Sequence, residues 1–475
     1  MRLKYNIATL FLVLAGLQSC SLLGPIDDIE PSYVLTDGSG DVIIDESTAE
    51  MALNGMYASL RNRDIADCRR PFAGLAHMNK ETFQVSSNDE FMSGVITDRN
   101  LTLENMYTTY YNIINHANSF LNNLEIANLT DISDIRHKEM ISEARCIRAL
   151  CNMMLLRCFG QYNDMDSECG IVLNEAPVAS NEAKARASVK DVYTSIMNDL
   201  EYAVLNGPKG SEVKHYRISA LFAKALKARM LLNFGDNESA AVMAGEVLSE
   251  AAANGFGLEA NYMDVFQNQF NSSEMLFAPY ISISTSPKQT IAYVSINFIK
   301  PGKLLEAISK SATFMVAGEA DPRFTNVFPY DERCAKYLLN QQSIDDINSY
   351  YFMRLAEVYF IKAEAEARKG TSTSYQAARA ALLEVIERIG YDEDYVNSIP
   401  DTKLLEVILK HKLLELNTEN CEEWFDMVRY HRNGDFESWS NEDKKLLPPF
   451  TYCIFPLSRT IRGGNNLLEQ PATFN

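Results

Sequence analysis

The sequence predicts a mainly α protein: a tetratricopeptide-repeat-like helical scaffold, an α-α superhelix, with long irregular insertions that carry short β-hairpins. Three observations predict it. Helix signals dominate from Glu46 onward, two helix pairs repeat each other's small residues, and two stretches break the helical pattern. A 475-residue chain with 47% hydrophobic and 23% charged residues can bury a large core.

Arg2 and Lys4 precede an apolar run over residues 7–17, and Leu17-Gln18-Ser19-Cys20 follows. That is the layout of a bacterial signal peptide over residues 1–19, with a small residue directly before Cys20 as in the lipobox read by lipoprotein signal peptidase. Cys20 is the expected lipid anchor, and residues 20–45, with Gly24, Pro25, Pro31, Gly38 and Gly40, read as a tether. No later apolar stretch reaches the ~18 residues that a membrane-spanning helix needs.

Residues 46–475 are expected to form one domain. Its first helix is signalled by Ser47-Thr48 and runs through Leu53 and Tyr57 to Leu60. Further helical segments are predicted near 103–125, 137–159, 188–205, 216–234, 238–254, 350–369, 374–389 and 402–417. Ala228, Gly235, Ala240 and Ala244 in one pair correspond to Ala363, Gly370, Ala377 and Ala381 in another, where the loop Thr371-Ser372-Thr373-Ser374 is two residues longer. Small residues let two helices approach closely, and the glycine supplies the turn between them. The insertions cover 61–102 and 256–349; the second alternates at Ile281 and Ile283 and again from Ala292 to Phe298, which reads as a β-hairpin around Ser286-Pro287-Lys288.

A net charge of −19 with no dense basic run excludes nucleic acid as an expected partner. The six histidines show no HExxH, Gly255-Phe256-Gly257 with Ala260 follows a helix rather than a strand, and neither a Walker loop nor a GxSxG elbow is present. Asp164, Asp166, Glu168 and Glu175 approach a calcium loop, but Gly170 sits one place too late for its sharp turn. No metal, cofactor or catalytic residue is expected. Of the eight cysteines after Cys20, Cys146, Cys151 and Cys158 share one helix and read as small buried residues.

The order of segments resembles the SusD/RagB family of Bacteroidetes surface lipoproteins. The resemblance rests on "AEMALNGMYASL" (49–60), "MYTTYYNIINHANSFLNNLE" (106–125), "SEARCIRALCNMMLLRCFG" (142–160), "YFMRLAEVYFIKAEAEARKG" (351–370), "LLELNTENCEEWFDMVRY" (413–430) and "CIFPLSRTIRGGNNLLEQPATFN" (453–475). The chain departs from the family pattern at His411-Lys412, at Asn417 to Asn420 and at Gln470-Pro471-Ala472. Glu364, Trp424, Phe425, Asp426 and Arg429 are expected to knit helices together.

The resemblance implies a cell-surface, lipid-anchored outer-membrane protein that binds an oligosaccharide or other nutrient and passes it to a SusC-like TonB-dependent transporter. It also implies that the ligand surface comes from the insertions. The expected ligand residues are Phe72, His77, Phe83, Asn88, Asp89 and Phe91 in the first and Tyr280, Tyr293 and Tyr330 in the second, with Trp439 as a lesser candidate. A sugar ring stacks its C–H face on an aromatic side chain while its hydroxyls need fixed polar partners. Two alternatives remain open: a surface glycoside hydrolase, which needs a carboxylate pair in one cleft, and a repeat scaffold that binds proteins on its concave face.

Overall fold

In the computed structural model of the chain, residues 43–61, 90–93, 95–127, 129–180, 182–280, 301–329, 334–337 and 351–471 are described, together with Ile65, Phe72 and Leu75. The long helices fall close to the predicted bounds: α1 Glu46–Ser59, α2 Leu101–Ala127, α3 Asp134–Phe159, α4 Val189–Asn206, α5 Ala220–Asn233 and α6 Asn237–Ala253. Beyond the second insertion come α7 Leu355–Lys369, α8 Ser372–Ile386, α9 Asp401–Leu416 and α10 Glu422–Arg432.

Local chemistry sets the starts. The side chains of Ser133, Ser188, Ser219, Asp236 and Thr371 each accept the backbone N–H three residues on, satisfying a donor that the first helical turn leaves open. For α1 the cap is Asp45, not Ser47-Thr48: Thr48 N–H donates to Asp45 at 2.8 Å, and the Asp45 N–H donates back to the Thr48 hydroxyl at 3.1 Å. Ile43 is already buried, so the expected tether over 20–45 joins the core before its last residues.

Each helix packs on the next: α2 on α3, α3 on α4, α4 on α5, α5 on α6, α6 on α7 and α7 on α8, with α9 against α7. This is the expected row of helix pairs. α3 lies between α2 and α4 and from Ser142 onward is buried nearly all round, which is why its apolar residues show no one clear face. Cys146, Cys151 and Cys158 are buried there as free thiols.

The two repeat pairs are α5–α6 and α7–α8. Gly235 and Gly370 hold φ of 82° and 71° at the turns, and Ala228, Ala240, Ala244, Ala363 and Ala381 are buried at the contacts. The expected two-residue difference in loop length does not occur. Thr371 caps α8 and Ser372 begins it, just as Asp236 caps α6 and Asn237 begins it. The extra residues lie inside α8, where Ala378 is buried and Ala377 only partly so.

The second insertion is clamped at its root. Strand β1 (Met275–Phe277) leaves the scaffold, and β2 (Met353–Arg354) returns to pair with it antiparallel, Met275 opposite Arg354. A buried ion cluster fixes the same place. Arg354 binds Glu274 and donates to Glu415 and Glu419 at 2.8 Å each, while Arg388 reaches Glu274 at 2.7 Å and Glu415 at 2.5 Å. The hairpin expected around Ser286-Pro287-Lys288 lies outside the described residues.

The residues expected to knit helices do so. Arg429 of α10 bonds Glu364 of α7 at 2.6 Å, Glu357 of α7 bonds Arg229 of α5 at 2.6 Å, and Asp426 of α10 bonds Lys412 of α9 at 2.8 Å. Glu422 bonds Arg157 of α3 at 2.9 Å. The departures from the family pattern are accommodated in the same interior. His411 is buried between Arg323 and Tyr395, and Asn420 donates to the Phe352 carbonyl at 2.8 Å.

Candidate functional site

At the root of the second insertion, three aromatic rings meet in a half-buried cluster. The Tyr280 ring centroid lies 5.1 Å from that of Tyr216 and 5.2 Å from that of Phe270, and Tyr216 meets Phe270 edge-on at 5.5 Å. Each contact falls in the range where tilted aromatic pairs attract. The three residues come from different segments: Tyr216 from the approach to α5, Phe270 from the loop before β1, and Tyr280 from the chain leaving β1.

Backbone bonds bring those segments together. Ala278 N–H donates to the His215 carbonyl at 3.0 Å, which ties the exit of β1 to the residue beside Tyr216. His215 stacks on Phe256 with centroids 4.7 Å apart. Phe270 follows Gln269, a non-glycine residue with φ of 54°. That backbone is strained, and the surrounding packing must enforce it. Arg61 donates to the Tyr280 carbonyl at 3.3 Å, so the start of the first insertion also arrives here.

Polar groups lie in the adjoining segments. Arg217, next to Tyr216, donates to Asn54 at 2.5 Å and sits 4.8 Å over the ring of Tyr57. Tyr57 donates to Glu143 at 2.5 Å and accepts the Ile218 N–H at 2.9 Å. Burial, reinforced by the Glu143 charge, pushes the Tyr57 hydroxyl well above its ordinary value, so it stays protonated. Partly covered aromatic faces, with Arg61 held at the Tyr280 carbonyl, can hold a ring that is apolar on one face and hydroxylated at its edge.

The structure distributes the sequence candidates unevenly. Tyr280 joins the cluster. Phe72 does not, because it is fully buried with Phe425 at 5.5 Å and Phe455 at 5.2 Å, and neither face of its ring is open. Phe91 is likewise buried, packing edge-on against Phe455. These two positions are core rather than surface, since an aromatic residue in an irregular stretch can anchor that stretch to the scaffold. Trp439 is buried beside Phe436 and Lys410. His77, Phe83, Asn88, Asp89, Tyr293, Tyr330 and Cys20 lie outside the described residues.

Tyr216 and Phe270 carry no motif that singles them out. Tyr216 fell inside a predicted helix, and only the ring contact itself, held by the backbone bond to the β1 exit, pairs it with Tyr280. In the acidic loop, Glu175 accepts from Ser195 at 2.7 Å and Asp164 accepts the Asp166 N–H at 3.1 Å. Among the described residues, no group of three His, Cys, Asp or Glu side chains is placed to hold a metal ion. No helix among them is long and apolar enough to cross a membrane.

Comparisons with known proteins agree with this architecture. The sequence model of a family described as "Starch-binding associating with outer membrane" matches residues 40–232, and that of the SusD family matches residues 288–455. A SusD-like protein of Bacteroides ovatus is 24% identical over 398 residues, spanning 74% of this chain and 68% of the relative. A SusD superfamily protein of Bacteroides vulgatus superposes with a TM-score of 0.70 at 21% identity, covering 90% of this chain and 98% of the other. A laminarin-binding SusD-like protein superposes with a TM-score of 0.69 at 18% identity, covering 90% of this chain and all of its own. With both halves of the sequence matched by its models and the helical scaffold shared with its solved members, the chain belongs to the SusD/RagB family.

Proposed function

We propose that this protein is a non-catalytic, cell-surface glycan-binding lipoprotein, anchored to the outer membrane through lipid on Cys20, that hands oligosaccharides to a TonB-dependent transporter. The observation that carries the reading is the Tyr216–Phe270–Tyr280 cluster at the meeting point of both insertions. Its partly covered rings offer apolar surface to the C–H face of a sugar, and the clamped root keeps them in place before the ligand arrives. The family description that names starch and the outer membrane supports the ligand class and the location, and the laminarin-binding neighbour supports an oligosaccharide.

Residues 1–19 as signal peptide, 20–45 as tether and the remainder as one domain belong to the same reading. So do the insertion residues His77, Phe83, Asn88, Asp89, Tyr293 and Tyr330 as further ligand-binding positions. The family description and the laminarin-binding neighbour both speak of binding, and binding without turnover is the reading they support.

The test combines a polysaccharide panel with cell fractionation. The purified protein is expected to be retarded in gels containing one or a few polysaccharides and to release no new reducing ends overnight. Cys20→Ala is expected to move the protein from the outer-membrane fraction to the soluble one. Turnover abolished by changing one or two specific carboxylates would replace the reading with a hydrolase. Retention of the Cys20→Ala variant in the outer membrane of cells lacking the transporter would remove the anchor.

A further inference from the structure

A second cleft lies at the far end of α5. Tyr216 and Ser219 stand before the first turn of α5, and the cleft opens where α5, α7 and α10 end, about 20 Å away along a 14-residue helix. It encloses about 680 Å³. Four of its lining residues are asparagines, Asn163, Asn233, Asn237 and Asn433, beside the polar side chains of Tyr162 and Arg432 and the ion-paired Arg368, Arg429 and Asp435.

Several buried polar atoms here have no partner among the described residues. They are the Tyr162 hydroxyl, Asn233 Nδ2, Asn237 Oδ1 and Arg432 Nη1. Tyr162 is 1% exposed and Asn233 is 6% exposed. An unpaired buried polar group costs about 1–3 kcal/mol, so four around one cleft point to something that fills it.

The charge of the cleft decides the ligand class. Arg368 is spent on Glu364 and Asp435, and Arg429 on Glu364 and Asp426. Arg432 has no carboxylate partner among the described residues, but it stands in the last turn of α10, where three helix C-termini turn their carbonyl ends toward the cleft. The partial negative charges of those ends offset it, and neither an anion nor a cation is strongly favoured. What remains are three donors, an acceptor and two further amides, each able to give and to accept. Adjacent hydroxyls on a ring need that mixture.

We propose that this cleft is a second binding site, independent of the aromatic cluster, for a neutral polyhydroxylated ring, namely one or two sugar units. It rests on the glycan reading only for the choice of a sugar over another polyol. Two sites at opposite ends of α5 would let the protein hold one long chain at two points or two short ones at once, and linked sites raise overall affinity without any new contact.

The test removes the first site and probes the second. In a Tyr216→Ala/Tyr280→Ala background, cellobiose, maltose and lactose are offered separately, with galacturonate as the anionic probe, and binding is read by saturation-transfer NMR and titration calorimetry. At least one neutral disaccharide is expected to bind. Asn163→Ala/Asn237→Ala, added to that background, is expected to weaken it at least fivefold without lowering the thermal melt, because Asn163 is exposed and Asn237 partly so and neither loses a partner among the described residues. The proposal is overturned if no neutral disaccharide binds the background up to about 50 mM, a concentration that detects even millimolar affinity. It is also overturned if the added pair leaves binding unchanged, or if galacturonate binds ten times tighter than every neutral sugar. None of these outcomes bears on the aromatic cluster, which is judged by wild type against the background.

Discussion

Single residues show how this interior manages charge. Glu364 and Glu422 are buried, which alone would raise their carboxyls, but Arg429 with Arg368 and Arg157 with Arg229 respectively pull each down to about 2. Their stabilising effect is present above the ordinary carboxyl value and is lost as pH falls toward 2. Glu423 is the opposite case. Its Oε1 accepts the Thr418 N–H at 3.0 Å, its Oε2 has no partner among the described residues, and burial pushes its pKa up to about 7. Between pH 4.5 and 7 the unfolded chain releases a proton that the folded chain keeps, so stability falls as pH rises through that window. The slope is about 1.4 kcal/mol per pH unit. Glu423→Gln carries no such proton. Its stability relative to wild type, measured by urea unfolding, should therefore rise between pH 5 and pH 8 by up to about 3 kcal/mol. An equal difference at both pH values would contradict this account of the site.

Among the elements, the glycines separate two kinds of constraint. A Cβ on Gly235 would meet nothing within 4 Å, yet its φ is 82°. Gly235→Ala should then cost about 1 kcal/mol, from backbone conformation alone. Gly170 needs no unusual φ, but a Cβ there would lie 2.5 Å from the Ala187 carbonyl oxygen, which belongs to the backbone and cannot swing away. Gly170→Ala should cost at least about 2 kcal/mol. Chemical denaturation of the two variants checks the order, and a larger loss at Gly235 would reverse it. The helices themselves were legible because apolar spacing and caps are local: Ser188 and Ser219 announce α4 and α5 within a few residues. The shared step from glycine to cap in the two repeats was not, because Thr371 could as well open a loop as cap a helix. The bond from the Ser374 N–H to the Thr371 hydroxyl settles which. β1 and β2 were equally hidden, since two or three residues paired across nearly eighty carry no alternation to read.

At the scale of the molecule, the scaffold and the ion cluster of Arg354, Arg388, Glu274 and Glu415 serve one end: they hold the root of the second insertion still. Family motifs made the scaffold readable from sequence, and Glu364, Asp426 and Arg429 behave as those motifs imply. The site was only partly readable. Tyr280 was found because it stands in an insertion, whereas Phe72 and Phe91, chosen on the same ground, turned inward to anchor the first insertion on Phe455. Tyr216 stayed hidden because its role depends on a backbone bond between His215 and Ala278, more than sixty residues apart in sequence.

The central claim is that the Tyr216–Phe270–Tyr280 cluster binds a glycan, and titration of the retained polysaccharide's oligosaccharides tests it most directly. Wild type, Tyr216→Ala and Tyr280→Ala, each shown by thermal melting to be folded, are titrated by calorimetry alongside Glu246→Gln on the exposed surface of α6. Removing a ring from the centre of a contact surface typically costs 1.4 kcal/mol or more. The account therefore predicts at least about a tenfold weaker Kd for each tyrosine variant and none for the glutamate variant. Binding by both tyrosine variants that matches wild type would contradict it.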